Sequence, residues 1–343
     1  MSDPAEVTIT GPIDLIAIVP HLLGYEPGSG DVVVIGMRDD TLIMTACTNF
    51  RGIRTRQEHD AVVGVVGKPV SHTNIDTAAI VGYGGPEHVG AGIDSLRDFL
   101  STRGIRIVDA MRVFEKRLYP HLPAGGGTTP TGAAAGIPFD TATTTVTAAM
   151  VLNGSVTEPN RAALADQFLP VTGAERADMH AATLRARHRL QHLTAGIADP
   201  AATIAEAGRA AAAMIYEHHR SGDRPTDDEA AWLIVLLTDT AVRDHVWRQT
   251  HGHHGHLTLW TDLTRRAEPD LVAAPATLLA FTAWQMGNGP VAAIALQRAL
   301  NTDPAYRMAR LLQLVLFTGM PPTAVGGRFL TEDPLAAKRP VAG

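Results

Sequence analysis

Leu279 to Arg310 reads LAFTAWQMGNGPVAAIALQRALNTDPAYRMAR, and this stretch decides how the sequence folds. It predicts two helices folded back on each other. Leu279, Phe281, Ala283 and Trp284 supply the apolar side of the first. Gly287, Asn288 and Gly289 give the backbone the freedom that a tight reversal needs, and Pro290 suits the first turn of the next helix, where its missing N–H costs little. The second helix repeats Ala292, Ala295, Leu296, Ala299 and Leu300, an i, i+3, i+4, i+7, i+8 stripe whose small residues let two backbones approach. Asp303 and Pro304 stop it, with Asp303 placed to cap a third helix and Pro304 in that helix's first turn.

Outward from this pair, residues 156–328 are alanine-rich and read as helix almost throughout. Helices are expected over Pro159–Phe168, Gly173–Leu193, Pro200–Arg220, Thr226–Thr240, Ala241–Gln249, Leu257–Ala267 and Leu271–Gly319. Thr226 with Glu229 three residues on, just before the apolar run Ala230–Leu237, is a capping box. Short polar joints imply antiparallel neighbours, hence a helical bundle or short solenoid. The spacing of Gly287, Ala292, Ala299, Asp303 and Pro304 resembles the second half of a tetratricopeptide repeat, although one unit does not make an array. Residues 329–343 are expected to form a flexible tail.

Residues 1–155 have a different texture. Gly11–Gly24 has helical apolar spacing with Asp14 in its first turn, and Pro20 predicts a kink or a short second turn. Asp31–Met37 and Thr41–Asn49 form a hairpin about Arg38, Asp39 and Asp40. Gln57–Val66 reads as helix and Lys68–Asn74 as loop. Thr77–Val81 reads as a buried strand that turns through Gly82-Tyr83-Gly84-Gly85 into a helix over Pro86–Arg103. Ile105–Phe114 returns as a strand, and Lys116–His121 pairs back on it. This strand–helix–strand order implies a right-handed crossover. Pro123–Pro138 is a glycine-, proline- and threonine-rich loop, and the threonine and valine content of Thr141–Leu152 suits one more strand. The expected class is α+β: a mixed α/β sheet domain over 1–155, then an all-α helical domain over 156–328.

Composition narrows the functions. The 343 residues suit two domains, and 45% apolar with 19% charged residues is a globular balance. A net charge of -6 without any lysine or arginine run disfavours nucleic acid, which calls for a basic patch. The start, MSDPAEVTIT, lacks the features of a secretory signal, and Ala230–Leu237 is too short to span a bilayer, so a cytoplasmic protein without membrane contact is expected. The lone Cys47 permits no internal disulfide and reads as a structural thiol.

Leu257–Leu312 (LTLWTDLTRRAEPDLVAAPATLLAFTAWQMGNGPVAAIALQRALNTDPAYRMARLL), Asp14–Met37 (DLIAIVPHLLGYEPGSGDVVVIGM) and Arg243-Asp244 before Trp247 together resemble the actinobacterial family termed domain of unknown function 4192. Its amino-terminal signature is DLL-x-x-VP-x-LLG-[FY]-x-P followed by a VVV-type strand. The resemblance reaches from about residue 13 to about residue 320 and implies little about function, since the family has no assigned reaction. Members carry a cysteine-containing stretch like SYLC…CCP-x-G-TP after the hairpin corresponding to Ile105–His121. This sequence has HLPAGGGTTPTGAAAGIPFD there, so any metal or redox role of those thiolates is absent.

Three places offer chemistry. His251, His253, His254 and His256 put four imidazoles in six residues, suited to zinc, nickel or copper, against the favoured reading of a solvated interhelical loop. Gly82, Tyr83 and Gly84, with Asp109 on the next strand, loosely resemble a dinucleotide-binding turn, but Glu87 stands where the third glycine of that fingerprint belongs. Asp14 and His21 are seven apart on one helical face and could act as an acid/base pair, against a capping Asp14 and an edge-packed His21. No serine lies in a nucleophile-elbow context, and Arg243, Asp244, Trp247 and Trp260 read as fold-defining contacts.

The leading expectation is a non-catalytic protein-interaction or self-association module, without a cofactor, whose partner is another protein or a second copy. The alternative is a small-ligand, nucleotide-like binder or enzyme with a pocket at the domain junction.

Overall fold

The computed structural model describes residues 7–121 and 135–322. Most of the expected Pro123–Pro138 loop and the whole 329–343 tail lie outside the described residues. The chain divides into two compact units, one of Met1–Leu164 with Phe317–Met320, the other built on Ala165–Leu316.

The first unit begins with α1 (Pro12–Leu23), a single helix that continues through Pro20 and ends at Gly24, whose φ of 76° the missing Cβ permits. Strands β1 (Asp31–Arg38) and β2 (Thr41–Asn49) follow as the expected hairpin. Its two turn residues, Asp39 and Asp40, both take positive φ, 48° and 60°, which suits the twist of the flanking strands. Then come α2 (Arg56–His72), β3 (Thr77–Tyr83), α3 (Pro86–Ser101), β4 (Arg106–Phe114), β5 (Arg117–Pro120) and the two-residue β6 (Ile137–Pro138). The sheet order is β2-β1-β3-β4-β5-β6; β3 and β4 run parallel across α3, and every other pair is antiparallel. One sheet face, with Val32, Val34, Ala78 and Ile80, packs on Val63, Val66 and Val70 of α2 and on Val89, Ile93, Leu96 and Leu100 of α3.

Two expectations for this unit fail. Helix α2 does not stop at Val66 but runs through the expected Lys68–Asn74 loop to His72. Its apolar stripe continues to Val70, and Gly67 is filled from outside by the Phe99 ring, so packing overrides the local breakers. Thr141–Leu152 holds no strand; it contains the helix α4 (Thr145–Leu152). Thr144 caps it, its hydroxyl accepting from the Thr147 N–H at 3.1 Å, and Val146 buries against Ala17 and Ile18 of α1. A threonine at the cap favours the helix that threonines inside it disfavour.

Helix α5 (Arg161–Asp166) spans the end of the first unit. The second unit holds α6 (Gly173–Thr194), α7 (Ala201–Ser221), α8 (Asp227–Leu236), α9 (Thr240–Gln249), α10 (His254–Arg266), a 3-10 turn at Pro269–Leu271, α11 (Ala273–Gln285), α12 (Gly289–Thr302) and α13 (Arg307–Phe317). The Thr226–Glu229 capping box is present at the head of α8. Every residue of α11 from Ala273 to Trp284 is buried, as a helix apolar on all sides demands, and α12 folds back on it after three residues. Asn288 caps α12 by accepting from the Val291 N–H at 3.1 Å. The next helix starts later than expected. Asp303 does not cap α13 but closes a turn over Pro304, its carboxylate accepting from the Ala305 N–H at 2.9 Å, and α13 begins at Arg307.

Candidate functional site

The strand-to-helix turn after β3 is shaped by its glycines. A Cβ on Gly82 would stand 2.7 Å from Ile93 and 3.1 Å from Val89, so the bare backbone lets α3 lie close on the sheet. Gly84, at φ 131°, faces Ser29 and Gly30. At the head of α3, Glu87 folds its carboxylate over Gly85 and pairs with His88 at 3.0 Å. A phosphate there would meet that charge. Asp109 is not brought to this turn. It pairs with Ala79, whereas Arg112 is the neighbour of Gly82, three residues and roughly 10 Å further along β4. Burial pushes the Asp109 carboxyl up. Arg112 was missed by sequence reasoning: it lies over the Tyr119 ring at 4.0 Å and donates to the Gly84 carbonyl at 3.3 Å.

Tyr83 points the other way from Gly82. Its hydroxyl is buried without a partner among the described residues, and burial, then Glu26, Cys47 and Asp31, hold the phenol well above its ordinary range. Near it, the Tyr25 hydroxyl donates to the Cys47 sulfur at 3.8 Å. Burial first and Asp31 second push that thiol up to about 12, so it stays protonated and unreactive at neutral pH. These three side chains come from a loop, β2 and β3, and no sequence spacing joins them.

Asp14 and His21 are on one helix but do not meet, since seven residues of rise separate them by roughly 10 Å. The Asp14 carboxylate accepts from the Thr10 hydroxyl at 2.6 Å and the Thr10 N–H at 2.9 Å, which lowers its pKa. His21 has its own partner, Ser155, at 3.0 Å, and burial lowers its pKa. Each residue finishes a local structure, and no acid/base pair forms.

The histidine run straddles the expected loop and the next helix: His251 and His253 lie in an exposed loop, and His254 and His256 open α10. His253 is the N-cap of α10, its Nδ1 accepting from the His256 N–H at 3.2 Å. The Nδ1 of His256 accepts in turn from the His251 N–H at 2.8 Å. The His253 and His256 rings lie 3.9 Å apart, with Tyr216 at 4.9 Å from His256. His256 is 8% exposed, and burial, then His253 and His251, push it down to about 4. Both acceptor nitrogens are occupied by backbone, and among the described residues no three His, Cys, Asp or Glu side chains form a group able to hold a metal ion. Arg243, Asp244, Trp247 and Trp260 form no single cluster: Arg243 pairs with Asp244 at 2.7 Å, Trp247 packs on Phe281 at 4.2 Å, and Trp260 meets Tyr216 edge-on at 6.5 Å.

With this geometry in view, comparison across protein families matches a domain of unknown function (DUF4192) over residues 12–323. The chain belongs to that family. No curated protein and no solved structure matches it. In this DUF4192 chain two buried charges at the end of α10 carry ion pairs that the sequence did not announce. Arg266, 1% exposed, donates to the Pro225 carbonyl at 3.0 Å and pairs with Asp227 at 3.1 Å and with Asp262. Glu268 is held by Arg176 at 2.7 Å and His180 at 3.1 Å. The RRAE run at Arg265–Glu268 was their only visible trace. No helix among the described residues is long and apolar enough to cross a membrane.

Proposed function

We propose that this chain is a non-catalytic self-association module in which two copies join along β2. The supporting observation is the state of that strand. β2 is the sheet's edge, nine residues long, without proline or a charged residue from Thr41 to Asn49, and Ile43 on it is 45% exposed. No strand among the described residues pairs with its outer side. Protein edges of this length are normally blunted by charge, proline or a cover, because open backbone groups recruit another strand.

A second copy is the occupant that the local charges favour. An antiparallel pairing of β2 with itself about Thr45 sets Ile43 against Cys47 and Thr41 against Asn49, with no like charges opposed. The same register sets Asp39 of one copy against Arg51 of the other, an acidic turn beside a basic strand exit. Such main-chain pairing is the usual currency of strand addition. The packed pair α11–α12, with its tetratricopeptide-like spacing, supports a contact role over a catalytic one in the second unit as well.

The test is the solution mass of the full chain by size-exclusion chromatography with light scattering, before and after Ile43→Lys. The proposal expects twice 36.4 kDa for the native chain and 36.4 kDa for I43K. A native chain that stays at 36.4 kDa at tens of micromolar removes the proposal, as does an I43K variant that remains fully dimeric.

A further inference from the structure

Imidazoles hold the head of α10 in place and against α7. The His253 Nδ1 accepts from the His256 N–H at 3.2 Å, and the His256 Nδ1 accepts from the His251 N–H at 2.8 Å. The His256 ring lies 3.9 Å from the His253 ring, 6.0 Å from the His251 ring and 4.9 Å from the Tyr216 ring of α7. From the last turn of α7, His219 sets its Nε2 beside Gly255, where a Cβ would stand 2.6 Å from that atom and 3.1 Å from the His253 Nδ1. Only a glycine lets the two helices come this close.

Each of these contacts needs a neutral ring. A neutral imidazole that accepts at Nδ1 carries its proton on Nε2; a second proton goes to Nδ1 and turns the acceptor into a donor that faces an N–H. Protonation of His253 therefore removes the cap of α10, and protonation of His256 releases the His251 N–H. It also sets like charges side by side. The charges that act on His253 and His256 are histidines, namely His219 of α7, His251 and, for His253, His254. The carboxylates of the neighbouring helices are engaged elsewhere: Glu229 of α8 pairs with His218 at 3.3 Å, and Glu217 of α7 pairs with Arg220. Other neighbours are neutral, the Tyr216 hydroxyl bonding to Thr250 at 3.1 Å and Gln285 of α11 lying over Gly252. Burial and the neighbouring histidines hold both rings below the ordinary histidine range. The closed turn thus binds fewer protons than an opened one, and falling pH favours opening.

We propose that the head of α10 is a proton-sensitive latch: protonation of His253 and His256 releases the turn at 251–256 from α7 while the rest of the helical unit stays folded. Clusters of this kind are how histidines convert a pH change into a conformational one. The latch lies apart from β2 and does not depend on self-association.

Hydrogen exchange of the full-length chain, followed by mass spectrometry on peptides over 250–260 and over α11, reads the opening. After correction for the intrinsic chemical rate, exchange over 250–260 is faster than over α11 at every pH, the mark of a local opening. Between pH 6 and pH 5 it quickens about sevenfold through His256 alone, the ratio for a group that titrates at about 4 when closed and at its ordinary 6.5 when open, and further through His253. His253→Asn keeps an acceptor at the cap but cannot titrate, so its rise is smaller than that of the native chain. His256→Gln loses the sevenfold part. Equal protection over 250–260 and α11, a rate that is flat between pH 6 and pH 5, or H253N and H256Q variants with the native rise overturn the latch. If H256Q does not fold, the H253N rise decides alone.

Discussion

His256 makes the stability of the helical unit depend on pH in a calculable way. In the folded chain its Nδ1 must stay unprotonated to accept the His251 N–H, and its pKa is pushed from the ordinary 6.5 down to about 4 by burial and by His253 and His251. The unfolded chain therefore binds the proton first. Stability contributed by the neutral ring is present above pH 6.5, falls as pH drops below it, and stops falling below about 4. The full interval is worth about 3 kcal/mol, and roughly 2 kcal/mol of that is lost between pH 7 and pH 5. The readout is selective, because all four tryptophans, Trp232, Trp247, Trp260 and Trp284, lie in the helical unit. Urea unfolding followed by tryptophan fluorescence at pH 7, 6 and 5 gives the slope for the native chain, and His256→Gln, which retains an acceptor but cannot titrate, gives the reference. The groups facing His256 also titrate, His253, His251 and His219 among them, so the difference between the two slopes is the quantity of interest. A native chain whose unfolding free energy is flat across that range, or an H256Q variant with the same slope, refutes the reasoning.

Three further outcomes follow from packing and protonation. Gly82→Val forces a side chain into Ile93 and Val89 and should cost about 1–3 kcal/mol in urea unfolding of the first unit monitored by circular dichroism; unchanged stability would mean that α3 does not lie that close. Thr226→Ala removes the hydroxyl half of the capping box at the head of α8 and should cost about 1 kcal/mol by tryptophan-detected unfolding, whereas Thr238→Ala, outside any cap of that kind, should cost less. Cys47, with its thiol near 12, should react with a disulfide reagent at pH 8 roughly a thousandfold more slowly in the native chain than after unfolding; comparable rates would show the sulfur exposed.

Sequence periodicity was informative wherever the cause of structure was local. The glycine turn between α11 and α12, the Asp39–Asp40 hairpin and the Thr226–Glu229 box were legible because each rests on a few adjacent residues with fixed backbone demands. Failures arose where a distant partner decided. The end of α2 depends on the Phe99 ring filling Gly67, and α4 depends on Val146 meeting Ala17 and Ile18, contacts that threonine and proline counts cannot reveal. The candidate sites show the same division. Glu87 could be placed at the head of α3 from spacing alone, and its carboxylate does lie over Gly85. Asp109 could not be placed, because the register of β4 against β3 sets Arg112, not Asp109, beside Gly82. The glycine-broken histidine run read as a solvated loop, which holds for exposed His251 and His253; what spacing did not reveal is that His253 caps α10 and His256 is buried in its first turn. Arg298 and the Thr264 carbonyl it bonds, 34 residues apart in the sequence, offered no pattern at all until α12 folded back beside α10.

Self-association along the edge of the sheet is tested most directly by a cross-link at its centre. In the proposed register Thr45 faces Thr45, with Cβ atoms about 5 Å apart. Thr45→Cys in a Cys47→Ala background, oxidised mildly, should become a covalent dimer at residue 45, while the same cysteine placed at exposed Ser101 should not. A chain that stays monomeric by mass in solution, and in which the cysteines at 45 and 101 cross-link equally slowly, contradicts the account.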